Sequence, residues 1–450
     1  MRIRAGNQQS DNAETLDFGP GWSLVENGWE VTVANGGSLA SASPPAIPRQ
    51  RQPKPTIWTA FQTGHGWTNG GTGGTWNLND TSDFRSGSQC VAVVTDGLAG
   101  DSWVQLLNST SRDLSAVDIT VWVKVTANLA NLKRIRAYLA SDNLVNYANG
   151  NIYDGTFPAT PSNAIRQGEW FPIRFTYQHV ASVAVVGSPV NTAITGLRLL
   201  VTDNGGGGGA CTVEIGSVEY TPRPATFPNG VVSLTFDDTK APAWTIAAPY
   251  MAKYGYSGTE YAIVDLVGGG GSMTLAQLQA LESQYGWEVA AHAYTVADHD
   301  AGFDTLSAAA LESDFALNKL WLLNNGFRGY DHMAYPLGHL APTDVQVGKY
   351  FSTGRTLYSN PLSESIRPGV PLRLRCYEVT AGITLANVQT AIDLCVTSGG
   401  WLILCFHGIV ASGATGSDTT TAIFQGICDY LNGKTCEIKP VGDVWRALAV

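Results

Sequence analysis

The chain has 450 residues, 44% of them hydrophobic and 14% charged, so it is long enough for two or three domains and too apolar for a disordered polymer. Its formal charge of −10 argues against a nucleic-acid backbone as the main partner and suits a neutral polymer such as a glycan. Fifty glycines, 13 tryptophans and 17 tyrosines point to extensive β-structure with many tight turns.

The opening residues, MRIRAGNQQSDNAETLDFG, hold no apolar h-region, so no signal peptide is expected. No apolar run approaches the roughly 18 residues of a membrane-spanning helix. Residues 1–43 carry short aromatic-rich pieces such as GWSLVENGWEVTV and read as a short N-terminal segment. The stretch 44–55, rich in proline and basic residues, reads as an extended linker.

From 56 to 222, strand-like runs recur between turn signals: QCVAVVTD, SWVQLLN, DITVWVKV, KRIRAYLA, EWFPIRFTY, TGLRLLVTD and CTVEIGSVEY. They alternate at period two, and no long amphipathic helix separates them, which predicts an antiparallel, jelly-roll-like β-sandwich. The five glycines 205–209 read as a hairpin turn between the last two runs. In GHGWTNGGTGGTW, Trp67 and Trp76 are candidates either for stacking on sugar rings or for packing. His65 and His179 have no visible partners.

The prolines of TPRPATFPNG (221–230) mark a second joint, and over 223–450 the pattern changes. VVSLTFDD precedes APAWTIAAPYMAKYG, TEYAIVDLV precedes TLAQLQALESQYG, and WEVAAHAY precedes LSAAALESDFALNKLWLLNNG. Strand–helix alternation predicts a parallel sheet or (β/α) barrel, with chemistry at the C-terminal ends of the strands. Three strands end in suggestive residues. VVSLTFDD ends in Asp237 and Asp238, WEVAAH in His292, and WLILCF runs into His407. His299 follows His292 in WEVAAHAYTVADHD. Adjacent acids can divide labour, one binding a cation while the other takes a proton from water. Asp238, His292 and His299 would supply the N,N,O set of an open zinc site. None of the seven cysteines has the C-x-x-C spacing of a zinc site. Cys376, Cys395 and Cys405 lie in or beside apolar segments and read as buried free thiols, and a Cys428–Cys436 disulfide is a less favoured option.

In order and separation, LTFDD, HAYT, MAYPLG and ILCFHG resemble the motifs of polysaccharide deacetylases of the NodB-homology type (carbohydrate esterase family 4), over roughly residues 228–450. The resemblance implies a distorted (β/α) barrel with a groove for a polymer. It implies Asp237 as catalytic base, Asp238 and His292 as ligands of a divalent metal (Zn2+ above Co2+ or Mn2+), and His407 as general acid. Leu337, after Pro336, would offer its backbone N–H to the oxyanion. The implied reaction is hydrolysis of N-acetyl groups on a polysaccharide built from N-acetylglucosamine-type sugars, with release of acetate.

Three departures from the family pattern stand out. Val296 occupies the usual position of the second metal histidine, so His299 takes that role, with Asp298 as the alternative. Ala334 stands where the family carries an arginine that orients the base; Arg375 is the candidate substitute, and Arg373 reads as a solvated neighbour. No Asp-x-x-Asp-Trp segment is present to buttress the acid. His332 and His339 flank the MAYPLG motif and read as structural or exposed. The competing readings are a glycan-binding or structural tail protein with an inactive deacetylase-like domain, and an O-acetyl esterase on the same fold. The β-sandwich resembles carbohydrate-binding modules in outline. An enzyme acting on glycan without a visible export signal is expected in a virion, as a phage tail protein whose residues 1–43 attach it to assembly partners, or otherwise outside the cell.

Overall fold

The computed structural model describes residues 53–155, 164–359 and 364–448, together with a small antiparallel sheet of Thr15–Asp17, Trp22–Val25 and Val31–Val33. The linker expected at 44–55 lies mostly outside the described residues, as does the attachment role of residues 1–43.

The N-terminal body is two six-stranded antiparallel sheets. One runs in the order Ala184–Val186, Tyr147–Asp154, Leu132–Ala140, Gly196–Asp203, Asp101–Leu106, Thr68–Gly71. The other runs Trp170–Thr176, Val117–Ala127, Thr212–Pro222, Cys90–Val94, Thr75–Asp80, with Thr56–Ala60 also paired to Thr212–Pro222. Alternate residues face inward, as the pleat requires: Ile135, Ala137 and Leu139 share one buried core with Val121, Val123 and Val125. Trp67 belongs to this core, packed beside Phe61 with its Nε1–H on Thr59, so it serves packing rather than sugar stacking.

One local reading of this half needs correcting. Gly205–Gly209 closes no hairpin, because Gly196–Asp203 lies in one sheet and Thr212–Pro222 in the other. The glycines carry the chain between layers: four of them have positive φ, and the Asp203 carboxylate accepts the N–H groups of Gly205, Gly97 and Ala99 to hold the crossing. A helix, Tyr177–Val183, also interrupts the strands, N-capped by the Thr176 hydroxyl. Two turns are too short to impose a helical period on the sequence.

Seven parallel strands build the second body: β1 (Val231–Asp237), β2 (Thr259–Ile263), β3 (Glu288–Ala293), β4 (Gly329–Ala334), β5 (Thr353–Ser359), β6 (Leu374–Glu378) and β7 (Trp401–Phe406). They pair in the order β2–β3–β4–β5–β6–β7–β1, and β1 also pairs with β2, which closes the barrel. The helices around it are α1 (Leu275–Tyr285), α2 (Val296–Ala301), α3 (Ala308–Asn324), α4 (Leu385–Ser398), α5 (Thr421–Asn432) and α6 (Val441–Leu448). Their ends carry the expected punctuation. Capping boxes start α1 (Thr274, Gln277) and α4 (Thr384, Asn387), and the left-handed Gly286 and Gly399 end the same two helices. Outward-facing strand residues bury against this helical layer; Phe236 stacks on Trp287 and Phe406 with ring centroids 4.7 and 5.3 Å apart.

The N-terminal end of the barrel is stoppered by the start of α6. Glu288 Oε1 accepts the Gly442 N–H (2.7 Å) and the Thr259 hydroxyl (2.8 Å), while Thr259 Oγ1 accepts the Val441 N–H (2.9 Å). A carboxylate at a helix N-terminus is favoured by the helix dipole. His332 sits in the same stopper, buried, its Nδ1 2.8 Å from Thr353 Oγ1, and is structural. That leaves the C-terminal strand ends for chemistry.

The two bodies are joined by arginines, one of them buried and two half-buried. Arg373, expected to be solvated, is 5% exposed and ties the barrel to the sandwich through Glu169 (2.6 Å), the Ala164 carbonyl (3.1 Å) and, on its own side, Asp344 (2.9 Å). Arg174 donates to the Arg367 carbonyl (2.8 Å), and Arg223 donates to the Gly399 carbonyl (2.9 Å). All seven cysteines are buried free thiols, Cys428 and Cys436 included. Replacing Arg373 with methionine removes one of the two arginines that Glu169 and Asp344 share, leaving them Arg166, and should cost about 1–2 kcal/mol. Scanning calorimetry of Arg373→Met is expected to show a lowered and broadened transition; a solvated arginine would change stability by less than about 0.5 kcal/mol.

Candidate functional site

β1 (VVSLTFD) carries no charge until its last residue, Asp237. The next two, Asp238 (φ 70°) and Thr239 (φ 59°), both take the left-handed conformation that side chains with a Cβ avoid. In a continuing strand Asp238 would point away from Asp237. The turn instead aims both acids at the barrel mouth, where His292 Nε2 lies 3.9 Å from Asp237 Oδ2 and 3.4 Å from Asp238 Oδ1. Thr239 pins the turn to the end of β2, its hydroxyl oxygen accepting the Ile263 N–H (2.8 Å) and its proton donated to the Ile263 carbonyl (3.2 Å).

Asp238, His292 and His299 form a cluster whose ligand atoms lie within 4.8 Å of one another. His292, on β3, has Nδ1 3.0 Å from the Ala334 carbonyl, which assigns the proton to Nδ1 and leaves a lone pair on Nε2. His299 has Nδ1 2.9 Å from Asp300 Oδ1 and Nε2 3.3 Å from Asp238 Oδ1. Three lone pairs turned on one another repel unless a cation sits among them, so the residues fit a divalent metal held by two nitrogens and one oxygen.

The seven-residue spacing of the histidines has a local cause. Thr295 N-caps the short helix α2, which begins at Val296 and turns His299 back over the mouth. Asp298 faces elsewhere, its carboxylate accepting the Thr295 hydroxyl (2.8 Å). Asp314 of α3, 2% exposed, anchors this connection by accepting the Tyr294 N–H (2.7 Å).

Asp237 is 1% exposed, and its two oxygens differ. Oδ2 accepts from Arg355 Nη2 and from the Cys405 thiol (3.5 Å), with His407 Nε2 3.8 Å away. Oδ1 has no hydrogen-bond partner. Burial raises the carboxyl, but the Arg355 charge outweighs it and the pKa is lowered. The guanidinium on Asp237 is thus Arg355 on β5, and Arg375 is instead engaged by Glu364 (2.8 and 3.1 Å). Arg355 is the register partner of Ala334, so a guanidinium that β4 does not supply comes from the adjacent strand. A lone arginine inside the strand-like run STGRTLYS was the available signal. His407, after β7, has Nδ1 3.6 Å from Glu378 Oε1 at the end of β6. Glu378 was also missed; it puts a carboxylate behind His407 without the expected Asp-x-x-Asp-Trp segment. Leu337 follows β4 with φ 55° and is 41% exposed at the mouth. His339 pairs with Asp304 (2.9 Å).

Residues 225–351 match the family model for polysaccharide deacetylase. The matched stretch contains Asp237, Asp238, His292, His299 and Leu337, while Arg355, Glu378, Cys405 and His407 lie beyond it. No curated protein matches the chain. Among solved structures, the chain is similar to the Xyl-CE4 domain of a multidomain xylanase from the hindgut metagenome of Trinervitermes trinervoides, at 15% identity and a TM-score of 0.36, covering 49% of this chain and 92% of that one. It is similar to a Streptococcus pyogenes deacetylase in complex with acetate, at 22% identity and a TM-score of 0.31, covering 36% and 69%. It is also similar to a family 11 carbohydrate-binding module from Clostridium thermocellum, at 11% identity and a TM-score of 0.28, covering 37% and 95%. Identities this low carry no activity across.

Two outcomes are expected of the site. Burial pushes Asp314 up to about 7, against about 3.9 for an unfolded aspartate. Between those values the native state holds a proton that the unfolded chain has lost, so the wild type loses stability as pH rises through that window. Asp314→Asn keeps the acceptor for Tyr294 without titrating. Denaturant titrations should therefore show it gaining on the wild type by on the order of 4 kcal/mol from about pH 4 to about pH 7. Separately, His299→Ala should weaken Zn2+ binding, read by calorimetry, by at least about tenfold, while Asp298→Ala leaves it within about twofold.

Proposed function

We propose that this protein is a metal-dependent deacetylase that hydrolyses N-acetyl groups on a polysaccharide containing N-acetylglucosamine-type sugars and releases acetate. The observation that carries the reading is the juxtaposition at one barrel mouth of the Asp238–His292–His299 cluster, the buried Asp237 with its unpartnered Oδ1, and His407. The polysaccharide deacetylase match over 225–351 supports the same chemistry.

Asp238, His292 and His299 would hold the divalent cation, most favourably Zn2+ given the N,N,O donors. When bound, that ion supplies Lewis acidity toward the acyl oxygen and lowers the pKa of water. Asp237 takes the proton from the attacking water at Oδ1, the oxygen that Arg355 and Cys405 leave uncommitted. The Leu337 N–H stabilises the charge that develops on the acyl oxygen. His407 gives a proton to the departing sugar nitrogen, because an amine anion is too poor a leaving group. Glu378 Oε1 faces His407 Nδ1 at 3.6 Å, on the side of the ring away from Asp237. Glu260, fully buried near the two acids, is kept protonated by burial and by their charges, and so does not compete for the cation. The β-sandwich is assigned to holding the same polymer, and the arginine contacts keep it in register with the barrel.

The test is acetate release from N-acetylglucosamine oligomers and from purified cell walls, after chelation and with or without added Zn2+. Zinc-dependent release is expected, falling by about 10³-fold or more in Asp237→Asn. Release from an O-acetylated polymer alone would reassign the enzyme as an esterase. Zinc binding without release on any polymer would leave a glycan-binding protein with an inactive barrel.

A further inference from the structure

β7 approaches the mouth as Trp401–Phe406, and its residues alternate between the helical layer and the barrel interior. Leu404 and Phe406 belong to the large core shared with the helices. Cys405 faces the other way, 0% exposed, with Sγ 3.5 Å from Asp237 Oδ2. Two residues later the chain presents His407 to the same oxygen at 3.8 Å. One strand therefore delivers both the proposed acid and a thiol to the base. The usual occupant of an inward position near a barrel mouth needs only to fill space, and an alanine or valine would serve.

The surroundings decide what the thiol does. Asp237 offers two oxygens, and both Arg355 and Cys405 go to Oδ2. Oδ1 is buried and receives nothing. Arg355 is itself held from behind: Nη1 donates to the Thr356 carbonyl (3.4 Å) and to Cys376 Sγ (3.7 Å), while Cys376 donates to the Thr356 carbonyl (3.1 Å). Its guanidinium also lies 5.1 Å from the Tyr261 ring. With Arg355 alone, the carboxylate could twist about its Cβ–Cγ bond and swing its uncommitted oxygen out of line with the mouth. A second donor on the same oxygen, arriving from another strand, removes that freedom. Burial, with Cys376 and Asp237 beside it, outweighs the Arg355 charge and keeps the Cys405 thiol neutral, so it holds the proton it would donate.

We propose that Cys405 is a positioning residue for the base: its S–H donates to Asp237 Oδ2, which, with Arg355, commits that oxygen and presents Oδ1 as the atom that takes the proton from water. This rests on the reading of Asp237 as base only for its kinetic consequence. The hydrogen bond itself can be tested in a protein that shows no deacetylase activity.

Infrared spectroscopy of the full chain reads the S–H stretch of Cys405, identified as the band lost from the wild type in Cys405→Ser. The expected result is a band at the low frequency of a hydrogen-bonded thiol, moving to higher frequency in Asp237→Asn, where the carboxylate is gone. A band that stays in place in Asp237→Asn would overturn the proposal whatever the activity. With acetate release as the second readout, Cys405→Ala should lower kcat by about tenfold with KM unchanged, the size expected for losing one hydrogen bond to a buried charge. Cys405→Ser, which restores a donor, should recover most of that loss. Equal kcat in Cys405→Ala and the wild type would show that the thiol positions nothing. If the alanine variant does not fold, Cys405→Val compared with Cys405→Ser makes the same donor-or-no-donor comparison.

Discussion

Arg355 and Asp237 meet inside the barrel with neither side chain more than 1% exposed, and removing two such charges from water costs several kcal/mol for each ion. Their attraction offsets that cost only while the geometry is held, and the geometry is held by nearly everything around it. Asp237 terminates β1, Arg355 sits on β5 beside the small Ala334 of β4, and Cys376 and the Thr356 carbonyl fix the far side of the guanidinium. Ala334 also supplies the carbonyl that sets the His292 tautomer. The ion pair, the proposed ligand set and the barrel's closure between β1 and β2 are thus one constraint met by several strands.

This explains the division of roles between two adjacent acids. Asp237 is committed inward, to a fixed cation made of protein, and its basic oxygen is oriented by elimination. Asp238 is thrown outward by two successive left-handed residues, toward imidazoles whose own protons are already donated elsewhere. Backbone strain of this kind costs of order 1–3 kcal/mol per residue and persists where surrounding structure enforces it. Here Thr239, clasped by both backbone groups of Ile263, does the enforcing.

The joint between the two bodies follows similar physics at lower density. Arg373, Arg174 and Arg223 each cross it toward carbonyls or carboxylates, using the planar, multi-donor guanidinium where a lysine would satisfy one partner. A polymer held by the sandwich would then meet the barrel mouth in a fixed orientation rather than on a free tether.

Hydrophobic periodicity was enough to read a sandwich followed by a parallel sheet or barrel, because period two and strand–helix alternation are local signals; the family resemblance chose the barrel. The residues at strand ends were legible for the same reason: Asp237, Asp238, His292 and His407 each close an apolar run. Neighbours across strands were not legible. Arg355 lies 118 residues from Asp237 in sequence and was passed over for Arg375, which looks equivalent until Glu364 is seen beside it. Glu378 behind His407, Cys405 against Asp237, and the layer crossing at Gly205–Gly209 were hidden in the same way. Local pattern determines which element a residue joins and which face it takes. Which distant side chain it meets there depends on strand order and register, and those exist only once the barrel has closed.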